Sequence, residues 1–211
     1  MKSLAPILLV TFGLACTAKD SGTTAKTDTT STASSGTETA ITSTETAVAP
    51  EVNPPGDIPD SQAFVKFTNS TGGYKLEVPE GWAQMAAPPE YSSDVTFINK
   101  YDGVSVHISP VATPPTAASA QTNEVKQIQS HGRAVTVTGV SGANVPAGKA
   151  VVIKYTSNSD PNPVTNKRVR LENATYVFYR NGKEAMLAMW APLGADNVDQ
   201  WNRMANSFRW L

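Results

Sequence analysis

Cysteine is almost missing: the 211 residues contain one, Cys16. A single thiol excludes an internal disulfide framework and a cysteine-rich zinc site. Histidine is scarce as well, with only His107 and His131. Neither has a second ligand at metal spacing, so no metal site is expected. No apolar run reaches the roughly 18 residues of a membrane-spanning helix. Charge of neither sign dominates: 17 basic and 18 acidic residues leave a net −1. A nucleic-acid binder carries a basic balance, so no nucleic-acid partner is expected. Aromatics are missing from residues 13–63, and 15 of the 16 fall in 61–211.

What is present divides the chain into three parts. Residues 1–15 form an export signal: Lys2 supplies a positive start, and Leu4 to Ala15 is an apolar run too short to cross a bilayer. Gly13-Leu14-Ala15-Cys16 resembles a bacterial lipobox, in which the peptide is cut before a cysteine that carries diacylglycerol. The one cysteine thus stands where such a site needs it, and Cys16 is the expected lipidation residue. Two or more acyl chains anchor a chain stably. The partner this implies is the membrane, with the protein exported and facing outward. Thr17, not Asp, follows the cysteine, which favours outer-membrane sorting where the host has one.

Residues 16–60 read as a disordered tether. Twelve Thr and five Ser fill half of positions 17–50, and such a segment cannot bury enough apolar surface to offset its ordering entropy. Pro54, Pro55 and Pro59 stiffen the exit. The tether is acidic, net −5 over 17–60, whereas 61–211 is net +3.

Residues 61–211 read as one domain of strands and two helices. Tyr74, Leu76 and Val78 alternate, so they face a core. Val95 to Lys100 and Val104 to Val111 form a hairpin around Asp102-Gly103. Arg133 to Val140 and Ala150 to Thr156 alternate too. Asn181-Gly182 suits a two-residue type I′ turn in a hairpin from Val169 to Trp190. That turn pairs Arg180 with Lys183 and Phe178 with Ala185. Ala185, Leu187 and Met189 then share one face, and Met186, Ala188 and Trp190 the other. Both faces are apolar, so a layer is expected on each. One helix should run from a Thr116 cap to His131, with Ala118, Val125 and Ile128 inward. A second should start at an Asp196 cap and turn Val198, Trp201, Ala205 and Phe208 inward.

The stretch Asn69-Ser-Thr-Gly-Gly-Tyr-Lys-Leu-Glu-Val-Pro-Glu-Gly-Trp82 resembles the opening hairpin of PsbP-like domains. Trp190-Ala191-Pro192 and Ser207-Phe208-Arg209 resemble their close. The resemblance implies an α+β fold, an α/β/α sandwich with a mainly antiparallel sheet covered by helices. Members bind unlike partners, so no binding residue is carried over.

No catalytic constellation, cofactor site or phosphate loop emerges, and no cofactor is expected. His107 reads as a half-exposed sheet residue between Ser105 and Ser109. His131 reads as a helix-end residue favoured by the dipole. Lys167, Arg168, Arg170, Arg180 and Lys183 form a basic cluster, read as a solvated strand edge in preference to a lipid or polymer contact. The expected function is a non-enzymatic binding or accessory module of the cell envelope, with an envelope protein or anionic polymer as partner. Two alternatives are an envelope hydrolase built on His107 or His131, and a small-ligand carrier using Trp82, Tyr91 and Tyr101. A histidine held by a carboxylate in a concave site would favour the hydrolase, and a fully packed sandwich would remove the carrier.

Overall fold

Asn181 and Gly182 both take positive φ, 51° and 76°, as a type I′ turn requires. The computed structural model describes residues 45–211. The export signal, Cys16 and residues 17–44 of the expected tether lie outside the described residues. From the Asn181-Gly182 turn, β8 (Arg170–Arg180) and β9 (Lys183–Pro192) pair in the expected register, Arg180 opposite Lys183 and Phe178 opposite Ala185. These two strands are the centre of a seven-stranded antiparallel sheet. On one side lie β5 (Asp102–Pro110), β4 (Val95–Asn99) and the two-residue β3 (Ala83–Gln84). On the other lie β7 (Gly148–Asn158) and β6 (Arg133–Val145), whose pairing is interrupted by register shifts between Arg133 and Thr136 and between Val137 and Gly139.

Except over outer β7, where an opening of about 290 Å³ remains, one face of this sheet is roofed. β1 (Phe64–Asn69), β2 (Tyr74–Pro79) and β10 (Arg209–Trp210) make a three-stranded sheet over it, beside α3 (Val198–Ser207). Tyr74, Leu76 and Val78 point into this core, as their alternation predicts, and meet Val104, Val106, Phe178, Ala185, Leu187 and Met189. The opposite face carries α1 (Ala117–Thr122) and α2 (Glu124–His131). Ala120 and Val125 there meet Val151, Ile153, Val177 and Met186. The expected antiparallel α/β/α arrangement is present, with a small sheet sharing the α3 layer.

Several local expectations are corrected. The first helix is two, because Asn123 turns to φ −106°, ψ −75° between them. The break changes the helical phase, so Ala120 is buried and Ala118 exposed. Thr116 does cap α1, reciprocally with Ser119. The β4–β5 turn is Lys100-Tyr101, with Lys100 at φ 51°. Asp102 and Gly103 are already strand residues. α3 begins after Asn197 instead of Asp196, and its buried residues are Gln200, Met204 and Ala205, while Val198 is exposed. Trp201 packs at the core margin, and Phe208 is buried just past the helix.

The reason Asn197 does not cap its helix lies in residues 45–60. These were expected to be free spacer, yet they run along the domain as a strap. Ile58 is buried, and its N–H donates to Asn197 Oδ1 at 2.6 Å. Asn197 Nδ2 in turn donates to Gly56 O at 2.8 Å. Glu45 clips the other end, against Arg133 at 3.0 Å and Arg168 at 2.9 Å. The hydrogen bond from Asn158, together with the Arg133 and Arg168 guanidinium groups, holds the Glu45 carboxyl below its ordinary pKa. Few apolar side chains are needed for this docking, which is why composition alone misses it. Replacing Asn197 with Ala leaves the buried Ile58 N–H without an acceptor, at an expected cost of about 1–3 kcal/mol. Thermal unfolding checks this: an unchanged midpoint would mean that the strap does not stabilise the domain.

Candidate functional site

The second face of β9 presents Trp190, Ala188 and Met186 in succession. α1 and α2 cover only the part of that face nearest Met186. Over Trp190 and Ala188 no helix lies, and a cleft of about 980 Å³ opens. The expectation of a layer on each face thus holds over most of one face and over only part of the other.

Strand register builds the cleft floor in rows. Gly103, Trp190, Asn173 and Tyr155 lie side by side across β5, β9, β8 and β7. The next rows place Ser105 beside Ala188 and His107 beside Met186. Gly103 has a packing role. A Cβ there would lie 2.0 Å from Trp190 Cζ2 and 2.3 Å from Cε2. The indole therefore lies over β5 where a side chain would stand. Asn173 Nδ2 donates to Ser157 Oγ at 3.0 Å, and burial pushes the Tyr155 phenol up from its ordinary pKa. The walls are α2, the loop through Pro161 and Pro163, and the β4–β5 turn with Lys100 and Tyr101.

His107 stands on this floor with 43% of its side chain exposed. Its Nδ1 lies 2.6 Å from Asp94 Oδ2, and Asp94 Oδ1 accepts the Ile108 N–H at 3.0 Å. Asp94 sits one residue before β4, directly across from His107 in the β4–β5 register. The carboxylate holds the ring through Nδ1, which leaves Nε2 outside that contact on a residue that lines the cleft. The sequence reading of His107 as an ordinary half-exposed residue missed this pairing, although the β4–β5 hairpin register would have revealed it. Among the described residues no hydrogen bond joins the ring to a serine or threonine hydroxyl. His131 lines the same cleft, but its Nδ1 contacts Gln127 O at 2.9 Å and Ser130 Oγ at 3.1 Å. That is the helix-end role expected of it.

The other singled-out residues scatter. Tyr101 lines the cleft, Trp82 is buried in the core, and Tyr91 is exposed elsewhere. The basic cluster divides: Lys167, Arg180 and Lys183 are exposed as expected, whereas Arg168 and Arg170 are tied into the fold. Arg170 is buried, donating to Ala134 O at 2.8 Å and Thr156 Oγ1 at 2.6 Å. Arg168 pairs with Glu45, and Arg180 donates to the Leu211 carbonyl. Only Lys167 of this group reaches the cleft. Among the described residues no group of three or more His, Cys, Asp or Glu side chains is placed to hold a metal. None of the described helices is long and apolar enough to cross a membrane.

No protein-family model matches the sequence, and no curated protein matches it. Solved structures similar to the chain include a cyanobacterial PsbP from Synechocystis, at 17% identity and TM-score 0.46, covering 74% of this chain and 99% of that one. Another is the Ran-binding protein Mog1p of Saccharomyces cerevisiae, at 9% identity and TM-score 0.49, covering 71% of this chain and 96% of that one.

Proposed function

We propose that the protein is an exported lipoprotein, anchored through acyl chains on Cys16, whose domain is a non-enzymatic binding module of the cell envelope. The observation that carries the binding reading is the half-covered sheet face. Its cleft of about 980 Å³ lies at the upper end of the range used by small-molecule sites. It combines an apolar floor at Trp190, Ala188 and Met186 with a few placed polar groups, Ser105, His107 and Asn173. The anchoring reading is supported by Gly13-Leu14-Ala15-Cys16 and the short apolar run before it. Together they make a tethered receptor for something present outside the cytoplasmic membrane.

A photoreactive residue placed at Tyr101, on the cleft wall, tests the module in living cells. The expected product is an adduct specific to that position. Adducts equally abundant from a probe at exposed Val65 on β1, or none at Tyr101, would overturn it. The anchor has its own test. Cys16→Ser is expected to abolish fatty-acid labelling and release the protein from membranes or leave it unprocessed. Label retained in the variant would place the anchor elsewhere.

One observation favours a second reading, an envelope hydrolase. The 2.6 Å Asp94–His107 pair is the arrangement by which a carboxylate orients a general base. That base would have to act on a water or on a group brought by the substrate. Turnover of a substrate that is lost in both His107→Ala and Asp94→Asn would favour it over simple binding.

A further inference from the structure

Resting on the cleft as the binding site, we infer that its ligand is an uncharged saccharide, one ring of which stacks on Trp190. The platform is built for a flat partner. Gly103 lets the indole lie across β5, and the half-buried ring lines the open cleft. Around it stand groups with hydrogen-bonding capacity left over: the Ser105 hydroxyl one row away on β5, the His107 Nε2 beyond it, and the carboxamide oxygen of Asn173 in the same row on β8, whose nitrogen Ser157 holds. A sugar ring has this composition, with C–H groups on its faces and hydroxyls at its edge. An aromatic side chain receives the face, and hydroxyl, imidazole and carboxamide groups receive the edge.

Charge points the same way. Arg133 on the rim is taken by Glu45 and Asp160, both at 3.0 Å. The His107 ring is taken by Asp94. Among the described residues the cleft's Lys and Glu side chains without an ion pair sit on the rim, Lys100 and Lys167 of one sign and Glu51 of the other. A floor without an unpaired cation is poorly suited to a phosphate or carboxylate ligand. An acyl chain laid on this floor would desolvate the Ser105 hydroxyl and the His107 Nε2, the ring nitrogen that Asp94 does not hold.

The test uses the full chain in detergent and a β-1,4-linked N-acetylglucosamine tetrasaccharide as probe, followed by calorimetry. Saturable binding is expected, weakened by about tenfold or more in Trp190→Ala, as for a central aromatic contact. Gly103→Val should weaken it as much by displacing the indole, whereas Trp201→Ala, on the other face of the sheet, should leave it intact. An uncharged apolar fluorescent dye, N-phenyl-1-naphthylamine, is titrated in parallel. Dye binding that depends on Trp190, with no tetrasaccharide binding, would overturn the saccharide and leave the cleft as a binding site. Neither probe depending on Trp190 would overturn both. Tetrasaccharide binding that is unaffected by Trp190→Ala and Gly103→Val would also overturn the stacking platform.

Discussion

Phe208→Ala is expected to cost about 3–5 kcal/mol and to lower the thermal midpoint by roughly 6–20 °C. Phe208 is fully buried, and three aromatic rings meet it. Phe178 stacks at 4.3 Å, Tyr74 at 5.8 Å, and Trp210 stands edge-on at 5.4 Å. Phe178 belongs to the large sheet, Tyr74 to the small one, and Phe208 follows α3. Truncating it therefore opens a cavity where all three meet. Trp201→Ala and Trp210→Ala should each cost less, since both side chains are only partly buried and both indole N–H groups lack a partner. The helical spacing turns Trp201 and Phe208 inward alike, and the structure buries Phe208 the more deeply. Trp210 pairs with Tyr74 in the small sheet, and Leu211 N–H donates to Gly73 O. Thermal unfolding of the three variants decides the order, and a Phe208 variant milder than the Trp201 one would refute it.

The second large effect is a loss of stability as pH rises. Glu184 opens β9 on the helix side, and burial together with the neighbouring Glu124 raises its pKa from 4.5 to about 7. Asp102, buried at the start of β5, is raised from 3.8 to about 7 by burial and by the Asp57 charge. Asp102 Oδ1 has no hydrogen-bond partner among the described residues, and the Glu184 carboxyl faces that of Glu124. The folded chain keeps both protons to about pH 7, whereas the unfolded chain releases them near 4.5 and 3.8. Their contribution is complete below those unfolded values. It is lost as pH climbs through about 7, by an amount on the order of 3 kcal/mol per group. The thermal midpoint should accordingly be higher near pH 5 than near pH 8. Glu184→Gln, which cannot ionise, should raise the midpoint at pH 8 by roughly 6–12 °C and flatten the slope. A midpoint that rises with pH, or a slope untouched by the substitution, contradicts this account.

The contrast between legible and illegible parts has a physical source. The β8–β9 hairpin was readable because Asn181-Gly182 is a local signal that fixes every pair on both strands. The alternation of Tyr74, Leu76 and Val78 was readable for the same reason, since strand period depends on neighbours in sequence. Gly103 misled because a glycine beside an aspartate also signals a turn. Its actual role is to make room for Trp190, a residue 87 positions away. The strap misled because its docking rests on Asn197, Arg133 and Asn158, polar groups whose partners no composition can name. The cleft depends on a missing layer, and a missing layer leaves no motif. His107 lay between the two cases: its partner Asp94 follows from hairpin register, but only once the turn is set at Lys100-Tyr101.

The ends of the large sheet carry one further consequence. β3 has two residues, and β6, although it has 13, is broken twice by shifts in register. A short strand offers too little ladder to template another chain, and a bulged one twists away from a flat approach. The β3 end therefore offers almost nothing on which another chain could pair, and at the β6 end only the regular stretch 139–145 does. Copies crowded together at high local concentration would begin any templated growth there or on β1, the six-residue edge of the small sheet.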